Sequence, residues 1–334
     1  GRNVWLRDLG RVRALARSIE RVAAEFGDIE VLHAHSPMLC GLAALQAGAA
    51  LRVPVVYEVR GLWEEAFVQG SFLRRFGLRY QLARRLDGRV CQRADAVVAI
   101  SESLRSDLIR RGIPGDKVTV VPNAVDTEVF TPREVSVQQR SDLGLSEGPL
   151  VLYLGAVRHY EGVEVLLRAF SSVRSRVPRA HLAIIGAGEA SQQIASLAAE
   201  CGEGVTVMPA VPHESVADFY AAADVVVYPR LSTRATELIT PLKPLEAMAM
   251  AKAIVASDVG GLREILTDGV TARLVPPGSA DTLAAAIVEL LEDDSERRRL
   301  GEAARETVSR GSTWRQVVQR YMKVYESVVP ARQG

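Results

Sequence analysis

The sequence runs to 334 residues, more than one hydrophobic core usually organises, and its 48% hydrophobic content supplies apolar material for two. Three widely separated cysteines, Cys40, Cys91 and Cys201, fit neither a disulfide framework nor metal-ligand spacing. No uninterrupted apolar run approaches the roughly 20 residues of a membrane span and no signal-peptide pattern opens the chain, so the reading is a cytoplasmic globular protein. The net charge of +1 conceals an asymmetry, because residues 1–111 hold eighteen arginines and no lysine against twelve Asp and Glu, a local +6 against −5 for the remainder.

In chain order, residues 12–26 read as a helix, and short Val/Ile-rich runs at 29–33, 54–59, 96–100 and 118–121 then alternate with helical patterns. That alternation predicts βαβ units and a parallel sheet. Ser101 is the expected cap of the helix after the third strand. The basic stretch 72–93 places Leu73, Phe76, Tyr80, Ala83 and Val90 at helical spacing. Its plain reading is a surface helix with a solvated face, and its sharper one a peripheral contact with anionic lipid headgroups or a phosphorylated acceptor. No nucleic-acid-binding module accompanies the charge, so nucleic acid is not expected as a partner. The opening helix arrives without the strand and glycine loop that normally begin such a sheet, and the expectation is an incomplete first domain over 1–135, its N-terminal piece missing. Polar and breaker residues around 136–148 read as the linker.

The second half restarts at Leu150 and offers strands at 150–155, 181–185, 205–208, 224–228, 253–256 and 272–275, a complete doubly wound domain over 149–311. Ligands of such sheets bind beyond the carboxyl ends of the strands, which singles out the loops Gly155–Gly162, Gly186–Glu189, Pro229–Glu237 and Glu237–Gly261. Gly186-Ala-Gly188 alone is equally a tight turn or a ligand contact. No Walker loop and no Asp-x-Asp occur, so no metal or other cofactor is expected at a diphosphate. Its charge would be met by side-chain cations and helix N-termini, with Lys243 well placed. His33 and His35 share one face of a strand end, a pattern for metal or acid/base work, but no third ligand is evident and a structural or acceptor-site role is preferred. His159 lies in a phosphate-facing loop, and Asn123 is expected to tie a turn.

An ordered set of motifs goes further: Val118-Thr-Val-Val-Pro-Asn-Ala-Val-Asp126, Leu152-Tyr-Leu-Gly155 with Tyr160-Glu-Gly162, Ile184-Ile-Gly-Ala-Gly188, Ala223-Asp-Val-Val-Val-Tyr-Pro229, Pro244-Leu-Glu-Ala-Met-Ala249 and Ala256-Ser-Asp-Val-Gly-Gly261. From about residue 29 onward the chain resembles the family 4 (group 1) retaining glycosyltransferases of GT-B fold. Tyr57-Glu-Val-Arg-Gly-Leu-Trp-Glu64 and Pro241-Leu-Lys-Pro-Leu-Glu246 look most like the bacterial exosortase-associated exopolysaccharide enzymes. The resemblance implies an α/β protein with two Rossmann-like domains facing a cleft, a nucleotide-sugar donor held by the second, and a glycan or lipid-linked acceptor met by the first. It implies that Glu246 binds the donor ribose, that Gly155 admits the phosphates, and that the segment 312–329, with Trp314 and Tyr321 as structural aromatics, is a helix packing back on the first domain.

Four positions depart from the family pattern. Ala156 and Glu161 stand where an arginine and a lysine usually grip the diphosphate, Leu238 stands where a donor-sugar glutamate is usual with Glu237 one residue before it, and Arg60 replaces a first-domain histidine. Relocated charges are the reading adopted: Lys243, Arg60 and Glu237 as catalytic candidates; Gly155, Arg158, Gly186, Arg230, Arg234, Thr240, Leu242 and Glu246 for the donor; His35, Glu58, Trp63 and Glu64 on the acceptor side. For Arg60, a buried ion pair with Glu58 or Glu64 is the structural alternative. A nucleotide-sugar 2-epimerase on the same fold and a donor-binding partner subunit without activity are the rival functions.

Overall fold

The computed structural model describes residues 2–67 and 77–329. The chain divides into two compact units, Gly1–Pro122 with Val317–Gly334, and Asn123–Gln316. The division therefore falls ahead of the expected linker. Residues 136–148 sit in the second unit and carry a short helix, α5 (Val137–Asp142), opened by a capping box in which Ser136 and Gln139 satisfy each other's backbone N–H.

The first unit holds a four-stranded parallel sheet in sequential order: β1 (Leu32–His35), β2 (Val55–Val59), β3 (Ala96–Ala99) and β4 (Val118–Val120). Every residue of β2 and β3 is buried, as befits parallel strands covered on both faces. Helices α1 (Arg2–Phe26), α2 (Met38–Leu51), α3 (Leu78–Arg93) and α4 (Glu102–Arg110) precede or connect these strands, and Ser101 caps α4 by accepting from the Leu104 N–H at 3.0 Å. β1 starts three residues later than its sequence pattern implies, which brings both His33 and His35 into the strand, in register with Val56 and Glu58. Of the basic stretch, α3 lies among the described residues and 72–76 do not.

The second unit carries a six-stranded parallel sheet, β5 (Leu150–Leu154), β6 (His181–Ile185), β7 (Val205–Met208), β8 (Val225–Tyr228), β9 (Ala253–Ser257) and β10 (Arg273–Val275), in the spatial order β10-β9-β8-β5-β6-β7. Period-two alternation sorts its side chains into two cores. Leu150, Leu152, Leu154, Ala183, Ile185, Val226 and Ile254 enter one; Val151, Tyr153, Leu182, Ile184, Val225, Val227 and Val255 enter the other. Helices α6 (Val163–Arg176), α7 (Ser191–Cys201) and α12 (Ala280–Glu292) cover the second core; α8 (Val216–Ala222), α10 (Lys243–Ala249) and α13 (Asp294–Gly311) contribute to the first. Short helices α9 (Arg234–Leu238) and α11 (Gly260–Arg263) lie between strands, and the last helix, α14 (Trp314–Val328), falls in the first unit from Val317 onward.

Beneath the first sheet lies a buried ionic knot. Arg111 donates to Glu64 at 2.6 Å and Asp107 at 2.7 Å, and approaches Asp87 to 4.0 Å, while the Tyr57 hydroxyl donates to Asp87 at 2.8 Å. Arg111 is the buried cation among three carboxylates, with the exposed Arg110 3.6 Å from Asp107, and burial pushes the Asp87 carboxyl up to about 6. Unfolded Asp titrates near 3.9, so between about pH 4 and 6 the folded state holds the extra proton and stability falls as pH rises. About 2 pKa units correspond to ~3 kcal/mol. Asp87→Asn keeps an acceptor for Tyr57 and removes the titration. In urea denaturation the variant is expected to gain on the wild type by about 2 kcal/mol between pH 4.5 and 7.5; a difference independent of pH would show that Asp87 stays ionised throughout.

Candidate functional site

In the second unit the chain lays β5, β6 and β7 outward, then returns to place β8 on the other side of β5. The strand order reverses between β5 and β8, and ligands of such sheets bind in the crevice beyond the carboxyl ends at that reversal. Gly155 follows β5, Gly186 follows β6 and Pro229-Arg230 follows β8. Gly186 adopts φ +150°, and a Cβ there would lie 1.8 Å from the Gly155 carbonyl oxygen. The loops after β5 and β6 thus abut through their backbones, joined by Gly155 N–H to Ile185 at 3.0 Å and Val157 N–H to Ala187 at 3.1 Å. Gly186 is glycine for that approach, a turn requirement that holds with or without a ligand.

Across the reversal, Arg230 grips Glu161 through Nε and Nη2, at 3.0 and 2.9 Å, with the two side chains 8% and 14% exposed. Arg230 was expected to contact the donor and Glu161 to mark a lost lysine; they are partners, the arginine standing where it neutralises the carboxylate. Tyr160 lies between two cations, with Arg158 and Arg230 each 5.9 Å from its ring centroid. Arg158 is exposed and donates to the Tyr160 hydroxyl at 3.1 Å, and that neighbour raises the guanidinium's pKa.

The head of α10 is fixed to the end of β8. The Tyr228 hydroxyl donates to the Lys243 carbonyl at 2.9 Å, joined by Tyr220 at 3.3 Å, and burial drives both phenols well above their ordinary pKa. Lys243 Nζ lies 3.2 Å from Glu246 Oε2; the lysine side chain is 34% exposed, the glutamate's 11%. Thr240 is buried, its carbonyl accepting from the Asn123 amide at 2.9 Å, so Asn123 ties a loop 117 residues away rather than its own turn. Leu242 is exposed and Arg234 opens α9 behind the Thr233 cap.

Glu237, a catalytic candidate by sequence, has a visible occupation. Its carboxylate accepts from the Gly260 N–H at 2.7 Å, the Ser232 hydroxyl at 2.7 Å and Arg263 at 3.3 Å. A Cβ on Gly260 would lie 2.3 Å from the Glu237 carbonyl oxygen. Glu237 therefore staples α9 to α11, and the one-residue offset from the family position fits that structural task.

In the first unit, β1 and β2 bring together His33, His35 and Glu58. Glu58 is fully buried; its Oε1 takes Arg60 at 2.5 Å and its Oε2 accepts from Tyr321 at 2.9 Å. Burial alone would raise the Glu58 pKa, but His33, Arg60, His35 and Tyr321 together hold it below the ordinary carboxylate value. Burial lowers the His35 pKa against the pull of Glu58. Arg60 thus forms the ion pair that was the alternative to its catalytic reading. Glu64 is 1% exposed and committed to Arg111, so the acceptor-side assignment gives way to a structural one. Trp63 is 48% exposed at the start of a 3-10 turn, available to a ligand. Trp314 is exposed in the second unit, while Tyr321 reaches Glu58. A shallow depression bounded by Glu30, Pro54, Asp95 and Val329 lies at the amino ends of the first sheet's strands, away from its carboxyl ends.

Sequence reasoning missed the tyrosine clamp on Lys243 and the pairing of Glu161 with Arg230. The terminal Tyr228 in an otherwise aliphatic strand was the available signal for the first; nothing local announces the second, whose partners are separated by 69 residues.

Comparison with known proteins places this geometry. A family model described as "Glycosyl transferases group 1" matches residues 137–307 and one described as "Glycosyltransferase Family 4" matches residues 1–129. The chain is 31% identical to a D-inositol 3-phosphate glycosyltransferase of Xylanimonas cellulosilytica, across 97% of this chain and 78% of that protein. It is 29% identical to the alpha-maltose-1-phosphate synthase of Mycolicibacterium smegmatis, across 89% and 79%. Among solved structures, Anabaena HepE in complex with UDP and glucose aligns with a TM-score of 0.77 at 20% identity, over 97% of this chain and 83% of that one. The sucrose-phosphate synthase of Thermosynechococcus elongatus aligns with a TM-score of 0.76 at 25% identity, over 93% and 76%. With two parallel α/β units of the GT-B kind and the first match spanning just over half its residues, the chain belongs to the group 1 glycosyltransferase family.

Proposed function

We propose that this glycosyltransferase moves a sugar, with retention at the anomeric carbon, from a nucleoside diphosphate sugar to a growing polysaccharide or lipid-linked acceptor in bacterial exopolysaccharide synthesis. A nucleotide-sugar donor is supported by one relative's name, a GDP-mannose-dependent mannosyltransferase of Mycolicibacterium smegmatis, and by the UDP and glucose in complex with the fold neighbour HepE. The observation that carries the reading is the Lys243–Glu246 pair at the head of α10, pinned by Tyr228 beside the β5–β8 reversal. It sets a cation suited to a departing diphosphate beside a carboxylate suited to two vicinal ribose hydroxyls.

Magnitudes separate the candidate cations. Lys243 holds Glu246 in an i,i+3 pair whose ammonium end is a third open to water while the carboxylate is buried, so the ammonium can meet a phosphate from the solvent side without leaving Glu246 uncompensated. Arg230 is buried with Glu161, and parting them leaves an uncompensated charge at a cost of about 3–5 kcal/mol. Lys243 is accordingly the cation for the leaving group, with Arg158 in support at the exposed rim and Arg230 as part of the wall. No metal is assigned to the diphosphate. Catalysis then rests on preorganised positive charge that strengthens its hold as the glycosidic bond breaks. For a lipid-linked acceptor, Arg85, Arg89 and Arg93 follow one another at i,i+4 on the outer side of α3 and suit an anionic membrane surface at the cytoplasmic face. No described helix is long and apolar enough to cross a membrane.

A panel of UDP-, GDP- and ADP-sugars, with products followed by NMR at the anomeric proton, tests the reaction. Transfer with retained configuration is expected; release of an epimerised free nucleotide sugar without acceptor would establish the 2-epimerase instead. Lys243→Ala is expected to lower kcat/KM by about 10²–10³-fold with the fold intact, and a variant at wild-type rate would remove Lys243 from the chemistry. Arg230→Met is expected to destabilise the protein by about 3 kcal/mol or more, most of it recovered in the double variant Arg230→Met with Glu161→Leu. Full stability of Arg230→Met in urea melts would mean that the pair is dispensable to the wall.

A further inference from the structure

We propose that His33, His35 and Glu58 form a binding site for a divalent transition-metal ion of the zinc class, in the first unit and outside the donor chemistry. The ligand atoms of the three residues lie within 4.8 Å of one another. His33 Nε2 is 3.1 Å and His35 Nδ1 3.8 Å from Glu58 Oε2, and adjacent ligands of a tetrahedral ion bound at about 2.0–2.1 Å stand roughly 3.3 Å apart. Two imidazoles and one carboxylate are the donor set of open three-ligand zinc sites, and imidazole nitrogen disfavours magnesium or calcium.

The orientation of His33 is the strongest pointer. Its Nδ1 is 2.8 Å from the Tyr325 hydroxyl, while its buried Nε2 faces Glu58 without the alignment of a hydrogen bond. A buried ring nitrogen left in that state calls for a partner, and a cation between Nε2 and Oε2 supplies one. If Nδ1–H donates to Tyr325, the lone pair of Nε2 points at the ion, the arrangement in which an outer hydrogen bond fixes the tautomer of a metal-bound histidine. Tyr321 and Arg60 orient the carboxylate similarly, through Oε2 and Oε1. The ring of His35, stacked on His33 at 4.8 Å and 52% exposed, has room to close the last few tenths of an ångström and leaves a position open to water. Tyr321 and Tyr325 both belong to α14, so a bound ion would draw that helix and the ends of β1 and β2 into one rigid cluster. The Arg60 guanidinium opposes the ion by like charge, and its removal should therefore tighten binding.

The test is titration of the chelator-treated full-length protein with Co²⁺, followed by competition with Zn²⁺ and by thermal melting. One equivalent of Co²⁺ is expected to give visible ligand-field bands without thiolate charge transfer, which separates this site from Cys40, Cys91 and Cys201, and Zn²⁺ should displace it and raise the melting temperature. His35→Ala, at a half-exposed position, should fold and lose the bands; Tyr325→Phe should weaken binding about 10- to 100-fold; Arg60→Gln should strengthen it. Absence of a saturable one-equivalent signal, or a signal that survives His35→Ala, would overturn the proposal.

Discussion

Burial of both faces of a parallel sheet is the constraint from which the second unit's chemistry follows. Leu150 to Leu154 send alternate side chains into two separate cores, and the same is true of β6, β8 and β9. A strand so occupied has no face left for a ligand, so polar groups can collect only where strands end. The reversal between β5 and β8 is where topology opens a crevice between the covering elements. Gly186 lets two loops meet there backbone to backbone, and Tyr228, the last residue of its strand, turns its hydroxyl to the head of α10. The placement of Lys243 and Glu246 is thus a consequence of sheet packing several residues away.

The charges at this gap come in pairs whose burial differs, and that difference divides their roles. Arg230 and Glu161 meet in a bidentate, nearly enclosed arrangement, which makes them strongly interdependent without guaranteeing that the pair outperforms an apolar substitute. Glu237 is held by one backbone N–H, one hydroxyl and one arginine, and positions α11. Lys243 is the more open cation, though its partner Glu246 is as enclosed as Glu161. In that pair the carboxylate is buried while the ammonium reaches water, so the cation is neutralised on one side and open on the other.

Much of the fold was legible because hydrophobic patterning acts locally: the strand runs at 181–185 and 205–208 coincide with β6 and β7, and Ser101 caps α4. Boundaries slipped where neighbouring apolar residues left the register open, as at β1, whose partners across the sheet decide where it begins. The candidate site was half legible. Loops after strands could be named, since topology alone sends them to the crevice, and Lys243 and Glu246 could be read from their helix. Who pairs with whom could not, because Glu161 and Arg230, or Glu58 and Tyr321, approach only through tertiary structure. The lysine that became Glu161 looked like a lost cation; the fold shows the carboxylate neutralised by an arginine from another strand.

Glu58 is the sharpest case of chemistry hidden from sequence. Between Tyr57 and Val59 it sits in a strand whose every residue is buried, a place where a carboxylate is costly unless fully paired. The register that sets His35 opposite Glu58 also sets His33 two residues back on the same face, and α14 delivers two tyrosines from 263 and 292 residues away. With Arg60 on one oxygen and Tyr321 on the other, Glu58 is satisfied, yet His33 Nε2 is left facing it unaligned. A purely structural ion pair would need neither histidine. That surplus of nitrogen donors around an already satisfied carboxylate is what distinguishes this cluster from the Arg111 knot beneath the same sheet, where one buried cation meets three acids and burial raises the Asp87 carboxyl pKa.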